Sequence, residues 1–225
     1  MVGILSQIDL TLRTATPLAG DRSRTAFKRT VVMGILLGVF YGILMGCYGG
    51  ISSGRILQPI YSGLKVPMLL GITFLLSLPS FYVINTLMGL ADDFKDILRA
   101  LAAAQAVLTI VLASLSPFTL FWYASFTDHD VATLFNAFMF SIASLCGQRA
   151  LRRYYKPLIA RNSRHRWMRR IWLLIYAFVG IQMGWVLRPF IGHPDMPTTF
   201  FRAESWSNAY VHVGQIIWRA LSGAT

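Results

Sequence analysis

The feature that most constrains the fold is an uncharged apolar stretch, Val31 to Gly54, in which glycine recurs at every fourth position. In water so much glycine would weaken a helix, but in a lipid bilayer it lets the backbone of another helix approach closely. A four-residue repeat drifts by about 40° per step around a helix of 3.6 residues per turn. The stretch therefore predicts a spanning helix that packs against two neighbours, or against one that crosses in the right-handed sense. The predicted packing positions are Gly34, Gly38, Gly42, Gly46 and Gly50.

The composition also places the chain in a bilayer. Hydrophobic residues make up 55% of it, charged residues only 13%, and the mean hydropathy is +0.55. The net charge of +12 lies in the gaps between apolar runs, as is typical of membrane proteins, and no nucleic-acid-binding motif accompanies it. We therefore expect membrane lipids as partners and no nucleic acid.

Four further apolar runs follow the glycine-rich stretch, at residues 66–90, 100–126, 131–147 and 171–187. Together they predict an all-α, polytopic transmembrane bundle of about five spans, residues 31–192. Short amphipathic helices at the membrane surface are predicted at both ends, within the basic segment 1–30 and within the tail 193–225, at Asn208 to Leu221. In an alternative topology with four spans, either the first helix is re-entrant or the short fourth run lies parallel to the membrane surface.

An arginine-rich connection at residues 148–170 sets the predicted orientation. It carries nine basic residues from Arg149 to Arg170 and no acidic residue. If it lies in the cytoplasm of a bacterial inner membrane, so does the amino terminus, and the carboxyl terminus lies outside. Each basic side chain beside anionic headgroups contributes about 1 kcal/mol of attraction. The residues predicted to bind anionic lipid or an acidic partner are Arg161, Arg164, Arg166, Arg169 and Arg170.

The segment Gly184 to Gly192, which we call the closing element, follows the fifth run and predicts an outer interface at Trp185, Arg188 and Pro189. Two roles for Arg188 are equally favoured. It pairs with an outer carboxylate and locks the tail over the bundle, or it reaches the headgroups beside Trp185. Gly180 and Gly184 repeat the small-residue pattern, which favours packing of the fifth span against the glycine-rich helix, within one chain or between copies.

Two stretches, LKVPMLLGITFLLSLPSFYVINTLMGL from Leu64 and GIQMGWVLRPFIGHP from Gly180, resemble a family of uncharacterised bacterial inner-membrane proteins. In that family a KxP start, an LP-aromatic middle and a closing GWxLRPFxGxP element recur. The middle portion is more weakly similar to Yip1-type membrane proteins, which share a five-span plan with a cytoplasmic amino terminus. The resemblance implies an integral membrane fold and assigns no activity.

No Asp, Glu, Lys, Arg or His interrupts the predicted spans, whereas proton relays and ion-coupled carriers need such residues at depth. The chain also lacks a phosphate loop, a GxSxG elbow and an HExxH pair, and its histidines match no zinc spacing. We therefore predict no metal, no cofactor and no enzyme, with a bound lipid or pigment left open. The expected function is an integral membrane scaffold or accessory subunit of a larger complex, or a homo-oligomer. The alternatives are a homo-oligomeric passive channel or small-solute permease and, third, an intramembrane enzyme that acts on lipid.

Overall fold

The computed structural model describes residues 6, 8–9, 11–12, 23–50, 55–193, 196–202 and 210–211. Regular structure in these ranges is entirely helical, which confirms the predicted all-α bundle. A single 3-10 turn, Ala91–Asp93, joins the second and third long helices. The α-helices are α1 (Ser23–Gly46), α2 (Leu57–Leu87), α3 (Phe94–Ser125), α4 (His129–Tyr154), α5 (Lys156–Arg161) and α6 (His165–Val186).

The helices pack in a fixed order of neighbours. α1 packs against both α2 and α3, α4 packs against α3, and α6 packs against α2. Successive long helices run in opposite directions, so their connections gather at two ends of the bundle. We call the end formed by residues 88–94 and 155–165 the basic end, and the end formed by residues 47–58, 126–129 and 187–193 the closing end.

Four segments are long and apolar enough to cross a membrane: Thr25–Gly46, Leu57–Leu87, Ala91–Ser125 and His129–Arg161. They fit a multi-pass membrane protein. The fifth predicted span is present as α6, but its first turns carry Arg166, Arg169 and Arg170, which shorten its apolar part. Four spans are thus supported by length and composition, and a membrane crossing by α6 stays a prediction.

The helices extend beyond the apolar runs that predict them. α1 begins eight residues before Val31 and ends at Gly46, where Gly49 and Gly50 take positive φ angles of 75° and 83°. α2 begins at Leu57, nine residues before its predicted start. A helix satisfies its own backbone hydrogen bonds, so it continues into polar sequence at the membrane boundary.

Three apolar clusters hold the described part of the bundle together, the smallest of which joins Met33 of α1 to Ala106 and Ile110 of α3. The cluster toward the basic end joins α2, α3, α4 and α6 through buried residues that include Phe81, Leu101 and Trp172. The cluster toward the closing end includes Tyr41, Leu112 and Ile191. Large apolar side chains elsewhere stay exposed on the helices, such as Leu36 and Leu75, as expected of a surface that faces lipid.

The predicted surface helices fall mostly outside the described residues. Near the amino terminus, Thr11 is helical and its carbonyl accepts a hydrogen bond of 2.6 Å from the Tyr154 hydroxyl at the end of α4. Near the carboxyl terminus, the Tyr210 ring stacks on Phe178 of α6 with the ring centres 4.7 Å apart. The remainder of the helix predicted at 208–221 lies outside the described residues.

Candidate functional site

Two glycines of α1 are positions where α1 and α2 touch backbone to backbone. A Cβ atom at Gly42 would lie 2.4 Å from the carbonyl oxygen of Ser62, and one at Gly46 would lie 2.6 Å from Cα of Pro59. Real Cβ atoms do not approach so closely. The close contact of α1 with α2 therefore requires glycine at both positions.

The other glycines of the repeat are less constrained. A Cβ at Gly34 would meet Thr109 of α3 at 3.5 Å, and one at Gly38 would meet Pro67 of α2 at 3.7 Å, both ordinary contact distances. The repeat thus faces two neighbouring helices, the arrangement that its drift predicts. Gly50 lies beyond the end of α1 with open space around it, so it is not a packing position.

Within the chain, the described helices do not show the predicted packing of the fifth span against the glycine-rich helix, and a pairing between copies stays a prediction. α6 packs against α2, where a Cβ at Gly180 would lie 3.5 Å from Cγ2 of Thr73. A Cβ at Gly184 would have nothing within 4 Å, so this glycine packs against no other helix of the same chain. The physical reason is that α2 and α3 already cover the glycine side of α1.

The closing element folds back over the start of α2 and is held there through its backbone. Lys65 Nζ donates to the carbonyl of Pro189 at 2.7 Å, and the Ser62 hydroxyl donates to that of Phe190 at 2.5 Å. Arg55 reaches the carbonyl of Gly192 at 3.0 Å. Sequence reasoning missed these donors because they stand in a stretch that it assigned to a polar connection.

The Arg188 side chain lies on the ring of Trp185, with the guanidinium carbon 3.2 Å from the ring centre. A cation on the face of an indole ring is a favourable contact. The tail is fixed by donors from α2 to the carbonyls of residues 189 and 190 and by Arg55, just before α2, to that of residue 192, so it does not depend on an Arg188 carboxylate pair alone. Pro189 takes part through its carbonyl.

A polar network crosses the bundle near the closing end. The Tyr41 hydroxyl donates to Oδ1 of Asn136 at 3.2 Å, and Nδ2 of Asn136 donates to the Tyr123 hydroxyl at 2.6 Å. The Tyr48 hydroxyl also donates to the carbonyl of Thr127 at 2.5 Å. The bonds of Asn136 join α1, α3 and α4, and the Tyr48 bond joins the segments that follow α1 and α3. None of them involves a charged group, so they serve helix association.

At the basic end, two of the five arginines predicted to bind lipid or a partner make contacts within the chain. Arg161 lies 3.2 Å from carboxylate oxygens of both Asp93 and Asp96. Arg164 donates to the carbonyl of Met88 at the end of α2, at 3.0 Å. The fully buried His165 lies 2.9 Å from Asp93 and completes the cluster.

The remaining three arginines lie in the first turns of α6, beside Arg161 and Arg164, which are exposed too. Arg166 and Arg170 are exposed, and Arg170 lies 5.2 Å above the ring of Trp167. Partial burial, together with the nearby charges of Arg152 and Arg170, lowers the pKa of Arg169. The arginines are thus close enough to repel one another, which favours an anionic group beside them.

Two of the cavities in the described part of the bundle adjoin each other. The closing-end cavity, about 480 Å³, has Asp130, Arg188 and Arg202 among its lining residues. The intramembrane cavity, about 690 Å³, lies between α2, α3, α4 and α6. Leu69 and Phe140 line both, so these two side chains form the wall between them.

Among the described residues, no group of three or more His, Cys, Asp or Glu side chains is placed to hold a metal ion. The rings of His129 and His193 approach to 4.8 Å at the closing end. The arrangement offers hydrogen bonding and an apolar enclosure rather than a ligand set. A comparison with known proteins finds no matching family model, no matching curated protein and no matching solved structure.

Proposed function

We propose that this protein is a non-enzymatic scaffold or accessory subunit of a bacterial inner membrane, with its basic end in the cytoplasm. The observation that carries the proposal is that part of the arginine-rich connection is held by ion pairs while other arginines in it stay exposed. Asp93 fixes Arg161 and His165, and Arg166 and Arg170 remain exposed beside them. The connection is therefore a fixed cationic surface rather than a solvated loop.

Such a surface suits anionic lipid headgroups or an acidic cytoplasmic partner. Each exposed basic side chain near an anionic membrane contributes about 1 kcal/mol. Trp167, which is exposed beside Arg170, is a residue type enriched at the headgroup level. The apolar stretches carry no group for acid–base chemistry at depth, which favours an assembly role over catalysis.

Charge reversal tests the proposal. We would purify the wild type, Arg166→Glu/Arg170→Glu and the charge-conserving control Arg166→Lys/Arg170→Lys in mild detergent. Native mass spectrometry with added phosphatidylglycerol or phosphatidylcholine would then count retained lipids and co-purifying subunits. We expect the Glu variant to lose phosphatidylglycerol or its companions while the Lys variant keeps them. The same number of retained lipids and the same co-purifying subunits in all three proteins would refute a role for this surface.

A second candidate is a passive pathway for a small uncharged solute. It is favoured by the position of Leu69 and Phe140 as a shared wall between the closing-end and intramembrane cavities. Glycerol flux into proteoliposomes, measured by light scattering, separates the two candidates. Flux above that of protein-free vesicles would favour the pathway, and its absence would leave the scaffold.

A further inference from the structure

We propose that the intramembrane cavity binds a neutral, lipid-soluble molecule whose head group carries carbonyl or hydroxyl oxygens. The inference goes beyond the scaffold role and does not depend on it. It starts from the size of the cavity, about 690 Å³, which falls within the roughly 300–1,000 Å³ of typical ligand sites.

Three polar atoms lining the cavity are shielded from solvent, and none of them meets the geometry of a hydrogen bond within the described residues: Thr73 Oγ1, Gln105 Oε1 and the Tyr176 hydroxyl. The Gln105 and Tyr176 side chains lie beside each other, so one ligand oxygen can reach both. They come from α2, α3 and α6, so three different helices direct polar groups to one space. Only 1% of Thr73 is exposed. A buried polar atom without a partner destabilises a fold, so three such atoms at one cavity indicate that a partner is missing there.

The Thr73 hydroxyl differs from two other hydroxyl groups of the bundle, which donate to carbonyls of their own helices. Ser77 donates to the carbonyl of Thr73, and Ser141 donates to that of Ala137, each bond turning back onto its own helix. Such bonds are the usual way for a hydroxyl to be satisfied in a membrane helix. Thr73 does not use this option, and its hydroxyl remains available to a ligand in the cavity.

The chemistry of the lining selects the ligand. No charged side chain lines the cavity, so a charged head group would have no counter-charge at low dielectric. Hydroxyl groups of Thr73 and Tyr176 can donate to a carbonyl oxygen, and Gln105 offers both an acceptor and a donor. The ligand that fits is neutral, with oxygen atoms at one end and an apolar body.

The cavity also has an opening toward the bilayer. Leu145 of α4 and Ile181 of α6 line it, yet 58% and 54% of their surfaces are exposed. α4 packs on α3 whereas α6 packs on α2, so the lining residues of these two helices border an opening. A molecule dissolved in the membrane can therefore enter sideways between α4 and α6.

Decylubiquinone, a neutral quinone with an apolar tail, is the probe for the test. Trp172 lines the cavity, so binding is read from quenching of tryptophan fluorescence in lipid nanodiscs. We expect saturable quenching at one molecule per chain. Gly180→Leu, which fills the cavity, should abolish the saturable component. Gly184→Leu, one turn further along α6 with open space around it, should leave the component unchanged.

A second pair of variants tests the polar groups. Thr73→Val and Tyr176→Phe conserve shape and remove the two hydroxyls, and together they should raise the dissociation constant by about tenfold. Native mass and helical content confirm that each variant is folded, and Ser144→Leu replaces Gly180→Leu if that variant is not. Quenching that never saturates, or equal affinity in all variants, would overturn the proposal. A dimeric wild type together with a monomeric Gly180→Leu variant would overturn it too, because a second copy would then fill the cavity.

Discussion

Gly42 and Gly34 differ in how closely the neighbouring helix approaches them, and this distance decides whether a side chain larger than hydrogen fits. Both lie on α1, so replacing either by alanine gains the same helix propensity, about 0.8–1 kcal/mol. A methyl group at Gly42 strikes the backbone of α2 at Ser62, whereas at Gly34 it reaches Thr109 at an ordinary distance. We expect Gly42→Ala to lower the free energy of unfolding by about 1–3 kcal/mol and Gly34→Ala to leave it unchanged or slightly raised.

The measurement is reversible unfolding of both variants in mixed detergent micelles, followed by circular dichroism. Gly34→Ala is the control, since it carries the same chemical change on the same helix. If both variants unfolded at the same detergent composition as the wild type, α1 and α2 would not approach as closely as the distances require.

The closing element shows what sequence reasoning can and cannot reach at the scale of single residues. The sequence singled out Arg188 and Pro189, and the structure shows what they contact: Arg188 lies on the ring of Trp185, and the carbonyl of Pro189 accepts from Lys65. The docking bonds, however, go to backbone carbonyls, including those of Pro189 and Phe190, from Lys65 and Ser62. Every residue has a carbonyl, so no sequence pattern distinguishes the ones that accept a bond from a distant helix.

Among the helices, the apolar runs predicted which elements exist better than where they begin. The run starting at Val66 predicts α2, but the helix begins at Leu57 because Gln58, Ser62 and Lys65 stay helical and donate to the closing element. These polar residues look like a connection until the segment they contact is known. Hydropathy identifies the part of a helix that lies in lipid, not the part that extends beyond it.

The docking of the basic end on the turn between α2 and α3 gives a prediction at the same scale. Asp93 accepts from His165 and Arg161, while its neighbour Asp92 is exposed. Replacing Asp93 by asparagine removes the negative charge of the group that accepts both hydrogen bonds. Because Asp93 is a quarter exposed, we expect a loss of about 1 kcal/mol rather than the full value of a charge-assisted bond.

Amide hydrogen exchange over residues 158–168 measures this loss. Exchange should become severalfold faster in Asp93→Asn and stay at the wild-type rate in Asp92→Asn, which removes the same charge one residue away. Faster exchange in both variants would mean that net charge, not the Asp93 contacts, holds the connection between α4 and α6.

For the whole molecule, composition and periodicity predicted an all-α membrane bundle, but not the order in which its helices pack. Two small-residue patterns, one on α1 and one on α6, predicted a direct pairing, whereas both helices pack on α2. A small residue shows that a close approach is permitted and does not name the partner. The cavities were equally beyond the sequence, since the intramembrane one is lined by residues from four separate helices.

The wall between the two cavities gives the prediction that concerns the whole molecule. In a background with Cys47→Ser and Cys146→Ser, Ser144→Cys places a thiol at the lining of the intramembrane cavity. Phe140→Ala, and separately Leu69→Ala on the facing helix, should join this cavity to the closing-end cavity and admit water. The charged thiol reagent MTSET should then modify the new cysteine severalfold faster in lipid nanodiscs.

Phe138→Ala is the matched control, because Phe138 lies two residues from Phe140 on α4 and 60% of its surface is exposed. Removing its ring changes the lipid-facing surface and leaves the wall intact. The Phe140 ring also packs against the Tyr41 ring of α1, with the ring centres 5.7 Å apart, so its removal loosens α1 as well as the wall. The Leu69 variant does not have this second effect, and both variants should therefore show the faster modification. Equal modification rates in all three variants would show that water reaches the intramembrane cavity by another route, and would remove the structural basis of the solute pathway.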